Sequence, residues 1–297
     1  MAMLNKRKDK LFYFLLYLFF ALVCACFIIP LLVVISASFT SENELLSGGF
    51  SLFPKELTTA AYQSAFKNSE KMIRAYLVTI AESFGGTFLT CVVCGMIGYA
   101  LSRSSFRFKK PITWVVMFTM LFSAGMIPTY IVYSKYYHIS NSFWMPGITG
   151  GAWNTMVFRT FFRTLPESLF ESARLDGANE LTIFFKIVIP LSTPVFASLG
   201  FMMLVGKWND YTTSMIYIRN ENLYTLQYLL QKIMSESEFL KSMAQAGMVG
   251  ISLDAFSRPS ETLKFAMCII AAGPMLVIFP FFQKYFSQGL TIGAVKG

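Results

Sequence analysis

The stretch from Leu11 to Ile35, LFYFLLYLFFALVCACFIIPLLVVI, decides the fold class of this chain. It contains no charged residue and exceeds the run of about 20 apolar residues that a helix needs to cross a bilayer. Basic residues cluster just before it, as in a signal peptide, but the apolar core of a signal peptide is only about 7–15 residues long. We therefore predict an uncleaved transmembrane helix over 11–35, preceded by a short basic N-terminus at 1–10.

The composition is typical of a protein dissolved in lipid. Of the 297 residues, 55% are hydrophobic and 14% are charged, and the mean hydropathy is +0.54. Average soluble domains contain about 25% charged residues. The 31 Phe and 17 Met residues exceed what a globular core of this length can bury. These values exclude a disordered chain, a coiled coil and a collagen-like chain, and they disfavour a water-soluble enzyme.

Five further apolar stretches predict five more transmembrane helices. The six spans are expected at about 11–35, 76–101, 112–133, 143–162, 194–217 and 263–286. The runs lack the sustained alternation of barrel strands and are too long for them. Because only helices and closed barrels satisfy their backbone polar groups in lipid, we predict an all-α polytopic membrane protein. Residues 11–297 would form a single six-helix domain.

The distribution of Lys and Arg predicts the orientation of these spans. Six crossings place both termini, the loop between spans 2 and 3 and the loop between spans 4 and 5 on one side. The whole positive excess of the chain, +9, lies on that side. Basic loops are cytoplasmic in most membrane proteins, so we predict that both termini are cytoplasmic. The excess follows membrane topology and gives no indication of nucleic-acid binding. The long outer segments, about 36–75 and 218–262, are expected to form small caps or amphipathic helices.

The loop between spans 4 and 5, 164–190, contains residues that typically begin and end helices, and they predict two short helices. Pro166 and Glu167 suit the first turn of a helix. Gly177 suits a left-handed stop, and Asn179 suits the N-cap of a second helix. We expect that second helix to end before Pro190.

One face of the first helix in this loop is apolar and small. Leu169, Phe170, Ala173 and Gly177 share it at helical spacing. We expect this face to enter a groove of a partner protein. The alternative is a helix that rests on the membrane interface, but such helices carry a polar face rich in Lys and Arg. Here acidic residues match or exceed basic ones, which disfavours that alternative.

The same loop resembles the EAA motif of ABC importer permeases. Glu171-Ser172-Ala173, then Gly177, then Ile187-Val188-Ile189-Pro190 keep the spacing of that motif throughout. Ser172 stands where the motif has Ala, and Ile189 stands where it has Leu. Further segments are similar to the carbohydrate-uptake group, in particular its maltose-type second permease and LplC-like branch. These segments are Gly98–Arg103, Met120–Tyr130, Phe161–Pro166, Asp176–Ala178, Trp208–Tyr211 and Gly289–Gly297.

The resemblance implies the architecture of a type I ABC importer permease, in which the segment 164–190 is a coupling helix held in a cleft of an ATPase. The implied coupling residues are Glu171, Ser172, Ala173, Asp176, Gly177, Ala178, Ile187 and Pro190. Glu171 would pair with a basic residue of the ATPase, while Ala173 and Gly177 would allow close approach. Transmission of force requires a helix that does not bend, which agrees with Pro and Gly only at its ends.

The resemblance also implies the partners and the location. It implies a multi-pass permease in the bacterial cytoplasmic membrane that imports an oligosaccharide or polysaccharide fragment. A second homologous permease, two cytoplasmic ATPase subunits and an extracellular solute-binding protein would complete the complex. ATP and Mg would bind to the ATPase subunits, and this chain itself would bind no cofactor.

Two groups of residues are candidates for the substrate pathway. Glu82 is an ionisable residue in the second span and is either functional or close enough to the outer surface to reach water. Trp208, Asn209, Asp210 and Tyr211 combine aromatic faces with hydrogen-bonding groups, which is the chemistry that binds sugars. The alternatives for this patch are helix packing, interface anchoring and mutual neutralisation of Lys207 and Asp210.

The chain lacks the sequence signs of its own catalytic machinery. The segment Gly200 to Lys207 has five residues between its glycines where a phosphate-binding loop has four, and Trp208 where that loop has Ser or Thr. There is no cluster of residues at metal-ligand spacing and no nucleophile elbow. We therefore predict no catalytic or metal site, and energy from a separate subunit. The alternatives are an integral membrane enzyme, such as a glycosyl or acyl transferase, and a stand-alone secondary transporter.

Overall fold

The structure, a computed structural model, describes residues 6–67, 69–139, 141, 151–245 and 261–292. Throughout these ranges the chain is helical, apart from turns and one isolated antiparallel bridge between Thr40 and Leu57. This confirms the helical fold class. Residues 1–5 of the predicted N-terminus, the first part of the predicted fourth span and the terminal segment 293–297 lie outside the described residues.

The helices follow one another along the chain with short connections. In chain order they are α1 Lys6–Ser38, α2 Glu42–Gly48, α3 Ala60–Ala65, α4 Ser69–Ile80, α5 Gly86–Ser102, α6 Lys109–Leu121, α7 Met126–Ile131, α8 Ala152–Phe162, α9 Glu167–Leu175, α10 Glu180–Ile183, α11 Ile189–Leu191, α12 Thr193–Trp208, α13 Thr212–Tyr217, α14 Leu226–Gln245 and α15 Glu261–Ile292. Wider π turns join α4 to α5, extend α7 and join α10 to α11, at Ala81–Gly85, Val132–Tyr136 and Phe184–Val188.

The chain divides into two compact units, and the first comprises 1–68 and 232–273. Helix α1 contains the predicted span 11–35, and none of its most apolar window is buried, as expected for a helix that faces lipid. The carboxylate of Glu42 accepts hydrogen bonds from the backbone N–H groups of Glu261 and Thr262, both at 3.0 Å. A carboxylate at this position stabilises the start of α15 because the first N–H groups of a helix have no partner within it.

The second unit comprises 69–231 and 274–297, and its centre is the packing of α5 against α8. Gly98 makes this packing possible. A Cβ atom at position 98 would lie 2.8 Å from the Cβ of Phe158 and 3.0 Å from the carbonyl oxygen of Thr155. The core below is aromatic, with Phe158, Phe162 and Phe184 almost fully buried. The two helices therefore approach each other at a distance that only glycine permits.

Two of the predicted spans are bent, which corrects the expectation of continuous helices. Over 112–133, α6 and the segment Met126–Tyr136 meet at 118°, because Phe122 adopts an extended backbone. Over 194–217, α12 ends at Trp208 and α13 begins at Thr212. The carboxylate of Asp210 accepts hydrogen bonds from the N–H groups of Thr212 and Thr213, at 2.8 and 3.1 Å, and so starts a new helix at this point.

The second helix of the 164–190 loop does not end before Pro190, so that prediction is wrong. The helical path continues from Glu180 to Leu191 and then turns by 84° into α12. Pro190 falls in the first turn of α11, directly after the π turn. A residue without an N–H is tolerated there because the first turn of a helical segment leaves its N–H groups unpaired.

The described residues contain three helical segments long and apolar enough to cross a bilayer, Lys10–Ser38, Ser69–Ser102 and Glu261–Gln283. The number rises to five if each of the two bent pairs counts as one span. Of the predicted fourth span, 143–162, the structure describes only the part from Gly151 onward, which contains α8.

We expect Gly98→Ala to destabilise the protein, because the added methyl group overlaps Phe158 and the backbone of α8. Overpacking of this kind costs about 1–3 kcal/mol. Gly206→Ala is the matched control, since nothing lies within 4 Å of a Cβ atom built at that helical glycine. Thermal unfolding in detergent should show a lower midpoint for Gly98→Ala alone. Equal midpoints for both variants would contradict the close approach of α5 and α8.

Candidate functional site

The helix α9 lies where the sequence predicts, but Pro166 precedes it instead of occupying its first turn, because the backbone of Pro166 is extended. The helix ends at Leu175. Gly177, two residues later, has φ of +80°, a conformation that side chains other than glycine rarely adopt, as the predicted left-handed stop requires. Asn179 then caps α10, because its side-chain oxygen accepts a hydrogen bond from the N–H of Thr182 at 2.8 Å. The turn between the two helices is thus fixed by local sequence.

The predicted apolar face of α9 is divided: Phe170 and Ala173 pack inside the chain, whereas Leu169 and Gly177 are exposed. Phe170 is fully buried and Ala173 is 8% exposed, and both belong to the aromatic core around Phe184. Ala178 and Ile187 are partly buried and pack against the same core. The side chain of Ala173 therefore lies against this protein's own helices.

The remaining surface of α9, together with the turn that follows it, is open to solvent. Leu175 is 89% exposed, although it is a large apolar residue. The predicted coupling residues that are exposed are Glu171, Ser172, Asp176, Gly177 and Pro190. We call Glu171, Ser172, Leu175, Asp176 and Gly177 the outer face of α9. An exposed leucine among small and acidic residues is a surface that a protein partner can cover without displacing the core.

Arg103 attaches α9 to the end of the long helix α5. Its side chain is only 4% exposed. It donates to the carbonyl oxygen of Phe162 at 2.7 Å and to the carboxylate of Glu167 at 3.1 Å. The guanidinium also lies over the ring of Phe170, 3.9 Å from its centroid. One buried cation thus contacts the end of α8, the start of α9 and the inner face of α9.

A second set of polar contacts closes the turn between α9 and α10. Arg174 donates to Glu180 at 3.0 Å and lies 3.8 Å from Glu167. The hydroxyl of Tyr99, on α5, donates to the other oxygen of Glu180 at 2.6 Å. The carboxylates of Glu167 and Glu180 therefore each bridge α9 to a neighbouring element.

The two arginines of this network have opposite pKa shifts. Burial lowers the pKa of Arg103, and the nearby carboxylate of Glu167 acts in the opposite direction. The hydrogen bond to Glu180 raises the pKa of Arg174. Both guanidinium groups stay charged at neutral pH because the ordinary pKa of arginine is above 12. The network is therefore held by fixed positive charges.

The sequence gives no assignment for Arg103, the residue on which this geometry depends. It stands within the segment Gly98–Arg103, directly after an apolar span. A basic residue at the cytoplasmic end of a span is usually explained by topology alone. The one local signal is the acidic residue Glu167 in the first turn of α9, which can pair with a nearby cation.

A buried ion pair lies within the second unit, away from this network. Glu82 is 7% exposed, and its Oε1 lies 3.6 Å from the Nζ of Lys207 on α12. The alternative that Glu82 reaches water is therefore wrong. Among the described residues, Glu82 Oε2 and the hydroxyls of Ser83 and Thr87 are buried without a hydrogen-bond partner. Buried polar atoms without a hydrogen-bond partner cost free energy, and they are rare inside apolar helices. This cluster is therefore a candidate functional position in the second predicted span.

The predicted aromatic and polar patch at 208–211 is divided by the break after α12. Trp208 is 1% exposed, so it packs within the protein. Asn209 and Tyr211 are exposed, and Asp210 caps α13. In the described part of the chain no ion pair joins Lys207 to Asp210, which corrects the expectation that they neutralise each other. Of the four residues, only Asn209 and Tyr211 present their side chains at the surface.

A family model for the inner membrane component of binding-protein-dependent transport systems matches residues 1–292. The chain belongs to this family. The permease is 35% identical over 297 residues to the polygalacturonan/rhamnogalacturonan transport system permease protein YtcP of Bacillus subtilis, with 98% of this chain and 100% of the relative covered. It is 33% identical over 299 residues to protein LplC of the same organism, which covers 100% of this chain and 98% of that protein.

A solved structure agrees with this membership. The permease matches a chain of a bacterial ABC transporter involved in the import of the acidic polysaccharide alginate, with a TM-score of 0.77 and 26% identity. The match covers 96% of the permease and 100% of that chain. The permease is thus a multi-pass inner membrane component of an ABC importer and is not itself an ATPase. Importers of this kind combine permeases with ATPase and binding-protein partners, so a membrane enzyme and a stand-alone transporter are both excluded.

We expect Arg103→Gln to loosen α9 from α5, because glutamine cannot satisfy the carbonyl of Phe162 and the carboxylate of Glu167 together. The buried carbonyl of Phe162 loses its charged donor, whereas the half-exposed carboxylate of Glu167 can turn to water, so the cost is about 1–3 kcal/mol. Trypsin should then cleave after Arg174 several times faster than in the unchanged permease, and the thermal midpoint should fall. Arg107→Gln, an exposed arginine in the same loop, is the control and should change neither value. Unchanged cleavage in Arg103→Gln would contradict the attachment.

We expect the Glu82–Lys207 pair to show strong coupling in a double-mutant cycle. Glu82→Gln or Lys207→Met alone leaves one buried charge without its partner, at a cost of about 3–5 kcal/mol. The double variant removes both charges and should recover at least half of the lost thermal stability. Midpoints measured in detergent for the four proteins decide the result. Additive effects of the two single changes would show that the pair does not form.

Proposed function

We propose that this permease forms half of the transmembrane pathway of an ATP-driven importer for an oligosaccharide or polysaccharide fragment. The names of its relatives support the substrate class, since YtcP is a polygalacturonan/rhamnogalacturonan permease and the matched structure imports alginate. The alginate carried by the matched importer is an acidic polysaccharide. A second, homologous permease would supply the other half of the pathway, and an extracellular binding protein would deliver the sugar.

The proposed topology has six spans with both termini in the cytoplasm, as in a type I importer. The five helical segments and bent pairs within the described residues support five of these spans. The segment 143–162, of which α8 is the described part, would supply the remaining one. In this arrangement α9 and α10 lie on the cytoplasmic side, together with the basic loop between α5 and α6.

The outer face of α9 is the proposed docking site for a cytoplasmic ATPase. The observation that carries this proposal is the division of α9 into two faces, one fixed to the core by Arg103 and Phe170 and one exposed around Leu175. A helix held firmly on one side transmits a push received on the other side to the spans behind it. Two ATPase subunits, one for each permease, would bind ATP and Mg and supply the push. The permease itself would bind no cofactor.

The individual coupling residues take different parts in this proposal. Glu171, with its exposed carboxylate, would pair with a basic residue of the ATPase, and Ser172, Asp176 and Gly177 would lie against the ATPase surface. The buried or partly buried residues Ala173, Ala178 and Ile187 would hold the helix pair from within, and Pro190 would set its exit toward α12.

The break after α12 is the proposed place of substrate contact. Asn209 and Tyr211 are exposed there, and an amide beside an aromatic face suits the hydroxyls and C–H groups of a sugar. Trp208 and Asp210 would shape the break from inside. The Glu82–Lys207 pair would hold α12 to the second span while the pathway changes its access.

Gly177→Trp tests the docking proposal when it is compared with Gly177→Ala. Both variants place a side chain at φ of +80°, so both strain the backbone, and nothing within 4 Å obstructs a Cβ atom. Only the indole extends from the outer face and would prevent close contact with the ATPase. We expect Gly177→Trp to abolish uptake of labelled galacturonan oligosaccharides and Gly177→Ala to retain a substantial part of it. We also expect Glu171→Ala to abolish uptake, because it removes the carboxylate proposed to pair with the ATPase.

The measurement uses the assembled importer in proteoliposomes, and membrane insertion is checked by immunoblot. Loss of uptake with normal insertion in Gly177→Trp and Glu171→Ala supports docking through this face. Normal uptake and ATP hydrolysis in Gly177→Trp would show that the outer face of α9 does not contact the ATPase.

A further inference from the structure

A cavity of about 580 Å³ lies where α5 ends, α6 begins and α8 leads into α9. Its walls come from three parts of the second unit: the end of α5 with the residues after it, the first turns of α6, and the end of α8 with the loop to α9. The docking proposal uses the outer face of α9, whereas this cavity lies on the inner side of the same region. The proposed docking of the ATPase does not require this cavity.

The polar lining of the cavity is strongly basic. Its charged residues are Arg103, Lys109, Lys110, Arg159, Arg163 and Glu167. The single carboxylate, Glu167, is already bound by Arg103. Five cations around one carboxylate leave an excess of positive charge inside a concave surface, where field lines concentrate and attract an anion.

Four of these cations have no acidic partner within the described chain. Lys109 donates to the carbonyl of Ser104 at 3.2 Å, and Arg159 donates to the carbonyl of Leu101 at 3.3 Å. Carbonyl contacts orient these side chains but leave their charge uncompensated. Lys110 and Arg163 are exposed, and no ion pair is found for either one among the residues described. The cavity therefore holds two oriented cations, Lys109 and Arg159, and two exposed ones, Lys110 and Arg163, whose charges an anionic oxygen could compensate.

The other wall of the cavity is apolar and continues along α6. Thr113, Trp114 and Met117 line the cavity beyond the two lysines. Trp114 is 72% exposed, and the helix goes on to present Phe118 and Leu121, 60% and 73% exposed. The basic groups thus stand at the start of a helix whose outward side chains are hydrocarbon. A ligand that fills this shape has a negative head and a long apolar tail.

We propose that the cavity binds the headgroup of an anionic phospholipid from the cytoplasmic leaflet, with the acyl chains lying along α6. The inference rests on the proposed topology, which places the loop between α5 and α6 at the cytoplasmic boundary. Basic pockets between transmembrane helices on that side suit anionic lipid headgroups. The bound phosphate would be held by Lys110, Arg159 and Arg163, next to the arginine that fixes α9.

A lipid in this cavity would lie next to the contacts that hold α9 to α5. Glu167 and Arg103 line the cavity and also join α9 to α5. A phosphate near Arg103 and Arg163 would compensate charge at the base of the coupling helix, and a headgroup wedged between α6 and α8 would steady both. The anionic lipid would thus stabilise the part of the permease that receives the push from the ATPase.

The test measures lipid retention by the assembled importer with native mass spectrometry. The complex is delipidated and mixed with dioleoyl phosphatidylglycerol and dioleoyl phosphatidylcholine. The double variant Lys110→Gln/Arg163→Gln removes two cations that make no structural contact with α9. Because each basic residue near a lipid surface contributes about 1 kcal/mol, retention of phosphatidylglycerol should fall about 30-fold. The matched control Arg107→Gln/Lys186→Gln removes two exposed cations that do not line the cavity and should retain the lipid.

The outcomes separate the lipid from a free anion and from the proposed function. The proposal is supported if the unchanged importer retains phosphatidylglycerol in preference to phosphatidylcholine and the cavity variant loses this preference. The variant Lys110→Arg/Arg163→Lys, which keeps both charges, should retain the lipid, and inorganic phosphate should not displace it. Equal retention by both double variants, or displacement by inorganic phosphate at equal concentration, would overturn it. ATP hydrolysis is measured on the same samples. If the complex is intact and hydrolyses ATP but retains no phosphatidylglycerol, only the lipid inference is refuted. If the permease assembles with no ATPase, the proposed function is refuted.

Discussion

Arg103 is a charged side chain that the fold removes from water almost completely. Burial of a guanidinium costs several kcal/mol unless its donors find acceptors, which only a specific arrangement of neighbours provides. Here the acceptors are the last carbonyl of α8 and the first carboxylate of α9, and the ring of Phe170 covers the planar face. The ends of three helices must therefore stay together. If they separate, the charge is left unpaired, so this contact fixes where α9 sits on the membrane domain.

The attachment also decides which side of α9 is free. With Phe170 and Ala173 in the core, the exposed side is the one around Leu175. Rigidity in this region does not require a straight helix. The path from Glu180 to α12 contains a π turn and bends by 84°. In the proposed mechanism, stiffness would come instead from side-chain contacts on the inner face, and the bend would redirect a push on α9 toward α12. This differs from the expectation that the coupling segment is a helix that does not bend, with Pro and Gly only at its ends.

Local signals in the sequence predicted much of the fold and part of the site. Long uncharged runs predicted the apolar helices, and Pro166, Gly177 and Asn179 predicted the approximate limits of α9 and the start of α10, but not the path beyond α10. The breaks in the third and fifth spans were not predicted, because an apolar run looks the same whether its helix is straight or bent. The ion pair of Glu82 with Lys207 joins two distant parts of the chain, and no local pattern indicates it. The burial of Phe170 and Ala173 was not predicted, because an apolar helix face can pack equally well against its own protein or against a partner.

The central claim is that the outer face of α9 lies against a nucleotide-hydrolysing subunit while its inner face holds to the permease. Site-specific cross-linking of the assembled importer in membranes tests it most directly. Leu175 is 89% exposed, and the variant Leu175→Cys is treated with a short sulfhydryl-to-amine cross-linker. The control is Phe53→Cys, treated in the same way, because Phe53 is 86% exposed and lies in the predicted outer segment. The account predicts a covalent adduct between Leu175→Cys and the ATPase subunit and none from Phe53→Cys. Absence of the ATPase adduct at position 175 in a complex that hydrolyses ATP and transports sugar would contradict it.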